Sequence, residues 1–484
     1  MAQYKGMWHA MHQANWTDWA HLVSTDLVRW TRLKSALAPN GDWDGALTIM
    51  PDGKPVILFD CYNVPDCNGS VHTSRSAAKP VPNDHPLVGV AHPADLSDPN
   101  LTAWTKDPRN PIALYDLKGA RVTRGFAGPS NIFNAPDGPS FVMQLGNSIA
   151  RMRLAEPTMH NWTVADPAFY PSAGHGGHGA SGLAFYPLPP TQNGSTTGGS
   201  DTFLGNLWVN GQAAGLQFIV LGQYLANGTF APAGPAQRID ANDLVIFGSM
   251  QCGGGGNASS GQYRCLHIGW YGYGSGSLTL PRELTYEDSP LTGARMLAYP
   301  VRELAGLRTK SIGAITPATP VEPGKSVRAF DEANPSRTFD LLAEIGLPDT
   351  DAIIIELAIL AANSSAADVT LTLNVSQQLD GVSRVDASVT SPCVLKEPRC
   401  NATIAFNSTL RGKRTLPVRV LADKTIVEIF VDNGRGVLTS AVPTPFKSPA
   451  ESGNVVFVGQ PQGGRAYSVS VQAWEMGCGW TAYP

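Results

Sequence analysis

The 484 residues include 50 Gly and 38 Pro, together about 18% of the chain against an ordinary ~12%, with 15% charged residues against an ordinary ~25% and a net charge of −4. That balance excludes a disordered chain, which needs high charge and few apolar residues, and a coiled coil, which Gly and Pro would break. It gives no electrostatic case for nucleic acid. No apolar run reaches the ~20 residues that span a bilayer; the best stretch, Ala352 to Ala362, is short and interrupted by Glu356.

In chain order, residues 1–307 read as short strands separated by turns. Pro55-Val-Ile-Leu-Phe59, Ser140-Phe-Val-Met-Gln144, Leu216-Gln-Phe-Ile-Val220 and Leu266-His-Ile-Gly-Trp270 are strand runs, and Pro51-Asp-Gly53 and Pro136-Asp-Gly138 are turns. There is no strict sequence repeat. Strand–turn–strand at this density suits a propeller or a large sandwich. Residues 191–202 and the Gly253-Gly-Gly-Gly256 run read as surface loops. Tyr299 to Arg308 is helix-like, with Pro300 near its start and Val301, Leu304 and Leu307 at i, i+3, i+6. Residues 308–325, rich in Pro, Gly and Thr, read as a linker. Residues 326–484 then read as a β-sandwich, with alternating runs at Thr370–Val375 and Leu416–Leu421. The strand Thr425–Val431 runs into a hairpin signal at Asp432-Asn-Gly434. The fold class is all-β.

Two features speak for an oxidising, secretory compartment. Cys61 and Cys67, Cys252 and Cys265, and Cys393 and Cys400 form three local pairs that read as loop-closing disulfides, with Cys478 left over. No Cys-x-x-Cys pair or nearby His supports a metal site instead, and no cofactor motif is present. Eleven N-x-S/T sequons occur, at Asn15, Asn68, Asn100, Asn161, Asn193, Asn227, Asn257, Asn363, Asn374, Asn401 and Asn407, where chance would give on the order of four. The excess points to a secreted or vacuolar glycoprotein. The first residues have no apolar signal-peptide core, so a native start upstream of Met1 is expected.

Seven blocks, collinear over nearly the whole chain, carry a family resemblance. Tyr4-Lys-Gly-Met-Trp-His-Ala-Met-His-Gln-Ala-Asn15, Trp19 to Trp30 and Trp43-Asp-Gly-Ala-Leu-Thr-Ile-Met-Pro-Asp-Gly53 come first. Ala91 to Pro99, Leu280-Pro-Arg-Glu-Leu284, Val420 to Phe430 and Gly434 to Ser440 follow. They resemble the blocks of glycoside hydrolase family 32, the invertases and fructan hydrolases or transferases. The resemblance implies a five-bladed β-propeller over residues 1–307, with its first blade complete or incomplete, a linker over 308–325 and a β-sandwich over 326–484. It also implies a retaining hydrolase of sucrose or fructans, in which two carboxylates ~5 Å apart act as nucleophile and general acid. Fructose-containing sugars are the expected partners; oligomeric state is not legible.

The family's catalytic carboxylates are missing. The nucleophile belongs to a W-M-N-D-P-N-G motif that would lie before Met1. The R-D-P stabiliser motif aligns to Ala127-Gly128-Pro129, with Phe126 and Pro129 setting the register. The acid/base Glu aligns to Ser181, set by Phe185-Tyr-Pro187. Losing general acid catalysis alone costs about 10²–10⁴ in rate. Weak or absent hydrolysis is therefore expected, with a sugar-binding pseudoenzyme or a scaffold glycoprotein as alternatives. Gln13 and Trp19 match sugar-contacting positions, and Trp43 offers an aromatic face or a core ring. Asp44 reads first as a turn residue and second as a substitute pocket carboxylate. His175 and His178 read as a flexible loop before a metal or acid site, since two His without a third ligand hold a metal poorly.

Overall fold

The computed structural model describes residues 1–14, 18–37, 44–61, 67, 87–122, 126–146, 148–156, 158–171, 180–189, 191, 201–207, 218–242, 245–253, 263–271, 277–330, 336–361, 367–378, 382–391, 401–410, 414–423, 426–442, 454–460 and 464–479. Two compact units emerge: residues 1–237 with 247–268, and residues 238–246 with 269–479.

In the first unit, strands adjacent in sequence pair into successive sheets. Ala2–Tyr4, Met7–Ala14, Asp18–Ser24 and Thr31–Leu37 make the first, and Gly45–Ile49, Pro55–Cys61, Leu87–Pro93 and Trp104–Lys106 the second. In the third, Phe126–Ala127 and Phe133–Ala135 both pair with Gly138–Leu145. Ser148–Leu154 and Asn161–Pro171 follow, and Ala113–Tyr115 closes the far edge in parallel. The fourth begins with Ala180–Pro187, Asp201–Leu207, Phe218–Tyr224 and Phe230–Pro232.

Neighbouring sheets share cores. Ile57, Phe59 and Cys61 pack with Trp19, Ala36 and Leu37 of the first sheet. Val56 and Leu58, on the opposite face of the same strand, pack with Phe141, Met143 and Trp162 of the third. That two-sided burial is why Pro55–Cys61 is apolar nearly throughout instead of alternating. Phe169 and Tyr170 then pack with Leu183 and Phe185 of the fourth sheet.

A small device recurs where the first three sheets enter a late strand. Leu27, Leu101 and Met159 each adopt positive φ, at 67°, 48° and 66°, three residues before Trp30, Trp104 and Trp162. The Trp30 and Trp162 indoles donate to the carbonyls of Leu27 and Met159 at 2.8 and 2.9 Å. Branched and long side chains rarely take this backbone conformation, so the turn is over-determined by its surroundings, which include these bonds and the burial of Leu27, Leu101 and Trp162.

The second unit holds two six-stranded sheets. One runs Arg308–Val321, Tyr467–Met476, Phe339–Gly346, Thr415–Ala422, Ile426–Val431, Gly436–Ala441. The other runs Ser326–Arg328, Asn454–Val458, Ala352–Ala361, Val369–Gln377, Ser383–Thr390, Ala402–Ser408. Alternate residues such as Leu371, Leu373 and Val375, and Val385, Ala387 and Val389, fill one common core.

Two expectations change. The helix-like stretch is a short 3-10 turn, Arg302–Leu307, which buries Leu304 and Leu307. The stretch 308–325 does not run as a linker: most of it is the strand Arg308–Val321, paired with Tyr467–Met476 through three register shifts. It lies at the end of its sheet, where Pro317 and Pro320 are tolerated because one side of the strand needs no ladder donors. Arg308 fixes its start by donating to Asp340 at 2.8 Å, and Arg419 donates to the same carboxylate at 2.8 Å.

Cys61–Cys67 and Cys252–Cys265 are disulfide-bonded as expected. Cys478 is exposed, and Cys393 and Cys400 lie outside the described residues. Of the sequons, Asn227, Asn374, Asn401 and Asn407 are exposed and Asn100 and Asn161 half-buried, whereas Asn15, Asn68, Asn193, Asn257 and Asn363 lie outside the described residues. Among the described residues, no helix is long and apolar enough to cross a membrane.

Candidate functional site

Gly45–Ile49, the first strand of its sheet, lies beside both Ala2–Tyr4 and Ala180–Pro187, so the first strands of three sheets gather together. Asp44 precedes this strand. The register Gly45↔Phe59 continues one step, and the Asp60 N–H donates to the Asp44 carbonyl at 2.8 Å. Position 45 must be Gly: a Cβ there would sit 2.1 Å from the Leu58 carbonyl oxygen and 2.8 Å from the Phe59 Cα.

Asp60 is a charged residue ending an apolar strand, on the face of Val56 and Leu58 that looks toward the third sheet. It is 2% exposed. Its Oδ2 accepts a hydrogen bond from the Gly128 N–H at 2.7 Å, while Oδ1 is buried with no hydrogen-bond partner among the described residues. Burial, and then the nearby Asp44 carboxylate, raise its carboxyl well above the usual range; the Gly128 bond only partly offsets them.

Gly128 sits in the gap that splits the first strand of the third sheet, with φ +63°. Buried polar bonds clamp the segment after it. Ser130 accepts from the Val142 N–H at 2.9 Å, Ile132 N–H donates to Thr48 Oγ1 at 2.9 Å, and the Asn131 amide both accepts from and donates to the Phe185 backbone at 2.8 Å. Thr48 and Phe185 belong to the second and fourth sheets, so Gly128 is held where three sheets meet. Ser181 is on Ala180–Pro187, beside an irregularity between Ala180 and Ala184; its side chain lies outside the described residues.

Gln13 is half-buried and pairs with Trp19 across the first sheet; its Nε2 is buried with no hydrogen-bond partner among the described residues. Gln13 and Asp60 occupy the same position, the penultimate residue of the second strand, in consecutive sheets. Trp19 is 6% exposed and belongs to the core with Phe59, Cys61 and Cys67, so its ring packs the fold. Trp43, His175 and His178 lie outside the described residues. Among the described residues no group of three His, Cys, Asp or Glu is placed to hold a metal. Asp60 was missed in the sequence; the available signal was a carboxylate closing the apolar run Pro55 to Cys61.

Residues 1–156 match the family model for the N-terminal domain of glycosyl hydrolases family 32, and residues 303–475 match the model for its C-terminal region. The chain belongs to glycoside hydrolase family 32. An insoluble β-fructofuranosidase isoenzyme of Arabidopsis thaliana is 24% identical over 91% of this chain and 81% of its own. A fructan 1-exohydrolase of Hordeum vulgare is 30% identical over 36% of this chain and 28% of its own. Among solved structures, fructan 1-exohydrolase IIa from Cichorium intybus superposes with a TM-score of 0.79 at 19% identity, covering 99% of this chain and 94% of that one. A variant of the same enzyme has been solved in complex with 1-kestose, with a TM-score of 0.76 and 18% identity over 99% of this chain and 94% of that one. The fold is thus the β-propeller followed by a β-sandwich of this family. The Leu280-Pro-Arg-Glu-Leu284 block takes a structural part: Arg282 is wholly buried and paired with Asp240 and Glu428 at 2.8 and 2.6 Å.

Proposed function

We propose that this chain binds fructose-containing sugars, sucrose or fructan, where Asp44, Asp60 and Gly128 meet, and that it hydrolyses them at most slowly. The observation that carries this reading is Gly128. The family resemblance requires a carboxylate there, and in its place is a backbone N–H bonded to Asp60. Ser181 removes the general acid, since a hydroxyl cannot protonate a leaving alkoxide near neutral pH as a carboxyl of raised pKa does. What remains suits binding: unpartnered polar atoms on Gln13 and Asp60, and the half-buried Asp44. The relatives named as β-fructofuranosidases and a fructan exohydrolase support the sugar class. The two disulfides, the sequons and the cell-wall naming of a Pisum sativum relative support a secreted protein.

Purified protein incubated with sucrose or inulin is expected to release reducing sugar at least about 10²-fold more slowly than an intact family enzyme assayed beside it. Turnover comparable to that enzyme overturns the reading. Slow release together with a calorimetric binding signal for sucrose supports it.

A further inference from the structure

Asp44, just before the strand Gly45–Ile49, stands opposite Asp60 of the neighbouring antiparallel strand, one step beyond the Gly45↔Phe59 pair. Directly opposed residues point to the same face, with Cβ atoms about 5 Å apart. The two differ in surroundings: Asp44 is half-buried, and Asp60 is almost fully buried. Asp60 has one oxygen fixed on the Gly128 N–H and the other without a hydrogen-bond partner among the described residues. Two like charges so placed oppose each other's ionisation, and among the described residues the groups that act on Asp60 are Asp44 and the Gly128 N–H.

We propose that Asp44 and Asp60 act as one carboxyl pair, which in this chain supplies the sugar-binding carboxyl function that Gly128 leaves vacant. The proposal rests on the sugar-binding reading above and names the groups that do the binding. Asp44, the more accessible member, meets the hydroxyls of the fructosyl unit. Asp60 is a positioning residue. Held on Gly128 and protonated beside Asp44, it lets the pair carry a single negative charge and ties that charge to the segment clamped by Ser130 and Asn131. The carboxyl function has moved from the third sheet to the second, and Gly at 128 is what leaves room for it: an Asp there would add a further like charge beside Asp60.

Two measurements on the full-length protein test the pair. In the first, carboxyl carbons of labelled Asp are titrated by NMR without sugar. Asp60 is expected to titrate well above free Asp, and to fall in the Asp44→Asn variant because the opposing charge is gone. An unchanged Asp60 titration in that variant overturns the pair. In the second, sucrose and inulin are titrated calorimetrically from pH 5 to pH 8 into the protein and into the Asp44→Asn, Asp60→Asn and doubly substituted forms. Asparagine at 60 still accepts the Gly128 hydrogen bond, and a melting curve checks the fold of each form. Asp44→Asn is expected to weaken binding at least tenfold. Asp60→Asn is expected to weaken it less but to flatten its pH dependence, and the double variant to lose little beyond Asp44→Asn. If the parent protein binds sucrose and both single variants bind it equally well with the same pH profile, the pair is overturned while sugar binding stands. If the parent gives no heat with either sugar, the binding reading fails and the proposal falls with it.

Discussion

Two buried carboxylate clusters, one in each compact unit, show how differently nature treats buried charge. Around Arg282, every carboxylate oxygen is used. Glu428 accepts from the Leu280 N–H and twice from Arg282, and Asp240 accepts from Arg282, the Asn242 N–H and both the N–H and hydroxyl of Thr439. Around Asp60, among the described residues, one oxygen accepts a single backbone bond, the other has no partner, and the neighbouring charge has the same sign. A satisfied buried ion pair fixes a fold. A buried carboxyl left partly unsatisfied costs stability, and its open oxygen is available to a ligand or a water. The difference is the physical ground for reading the first as architecture and the second as a site.

The comparison is sharpest where its effects are largest. Arg282→Met should remove about 3–5 kcal/mol of stability, because Glu428 and Asp240 would be left buried without their cation; denaturant unfolding of the whole protein measures this. A loss below about 1 kcal/mol would erase the distinction between the clusters.

The next effect comes from a third kind of buried titratable group, the stacked pair His9 and His21, with Nδ1 and Nε2 2.9 Å apart and neither ring exposed. Burial lowers His9 to about 4; for His21, burial and then the His9 charge lower it to about 3. The unfolded chain therefore binds more protons between about pH 3 and pH 6.5, so the pair's contribution is present above 6.5 and lost on acidification. Urea melts at pH 7, 5 and 4 should show stability falling at each step, by a few kcal/mol in all from this source, and His21→Asn should make the fall shallower.

Asp60 slopes the other way and should give the smallest effect. Its folded carboxyl is raised, so the native state holds the extra proton. Its favourable contribution is full below the unfolded value near 3.8 and declines as pH climbs toward the raised folded value. Asp60→Asn should remove that decline and gain about 1 kcal/mol at pH 7. A variant whose stability tracks the parent at every pH would place Asp60 with the Arg282 type of cluster.

Much of the architecture was legible because strand faces leave a period in the sequence. Thr370–Val375 alternates and is found inside Val369–Gln377, and Asp432-Asn-Gly434 turns between Ile426–Val431 and Gly436–Ala441. At Gly434 the reason is close approach as well as φ of +89°, since a Cβ would lie 2.3 Å from the Ala298 carbonyl oxygen. The strand Arg308–Val321 was hidden by its prolines, whose cost vanishes only at a sheet edge. Trp19 matched a sugar-contacting position, but a matched position does not say which way a ring packs. At positions 128 and 181 the family resemblance implied carboxylates, and the chain has Gly and Ser. Asp60 was not legible as their counterpart, because its link to Asp44 and Gly128 exists only after strands 68 residues apart in the chain are brought together.

The tryptophan turns at Leu27–Trp30, Leu101–Trp104 and Met159–Trp162 carry a kinetic consequence. The first belongs to a meander whose strands are neighbours in sequence, so its contacts close short loops and carry little closure entropy, whereas Trp162 pairs with Leu114 across a longer, parallel closure. Phe59, Phe141 and Phe185 are the side chains that face neighbouring sheets, so contacts between sheets, of longer sequence separation, carry the larger closure cost.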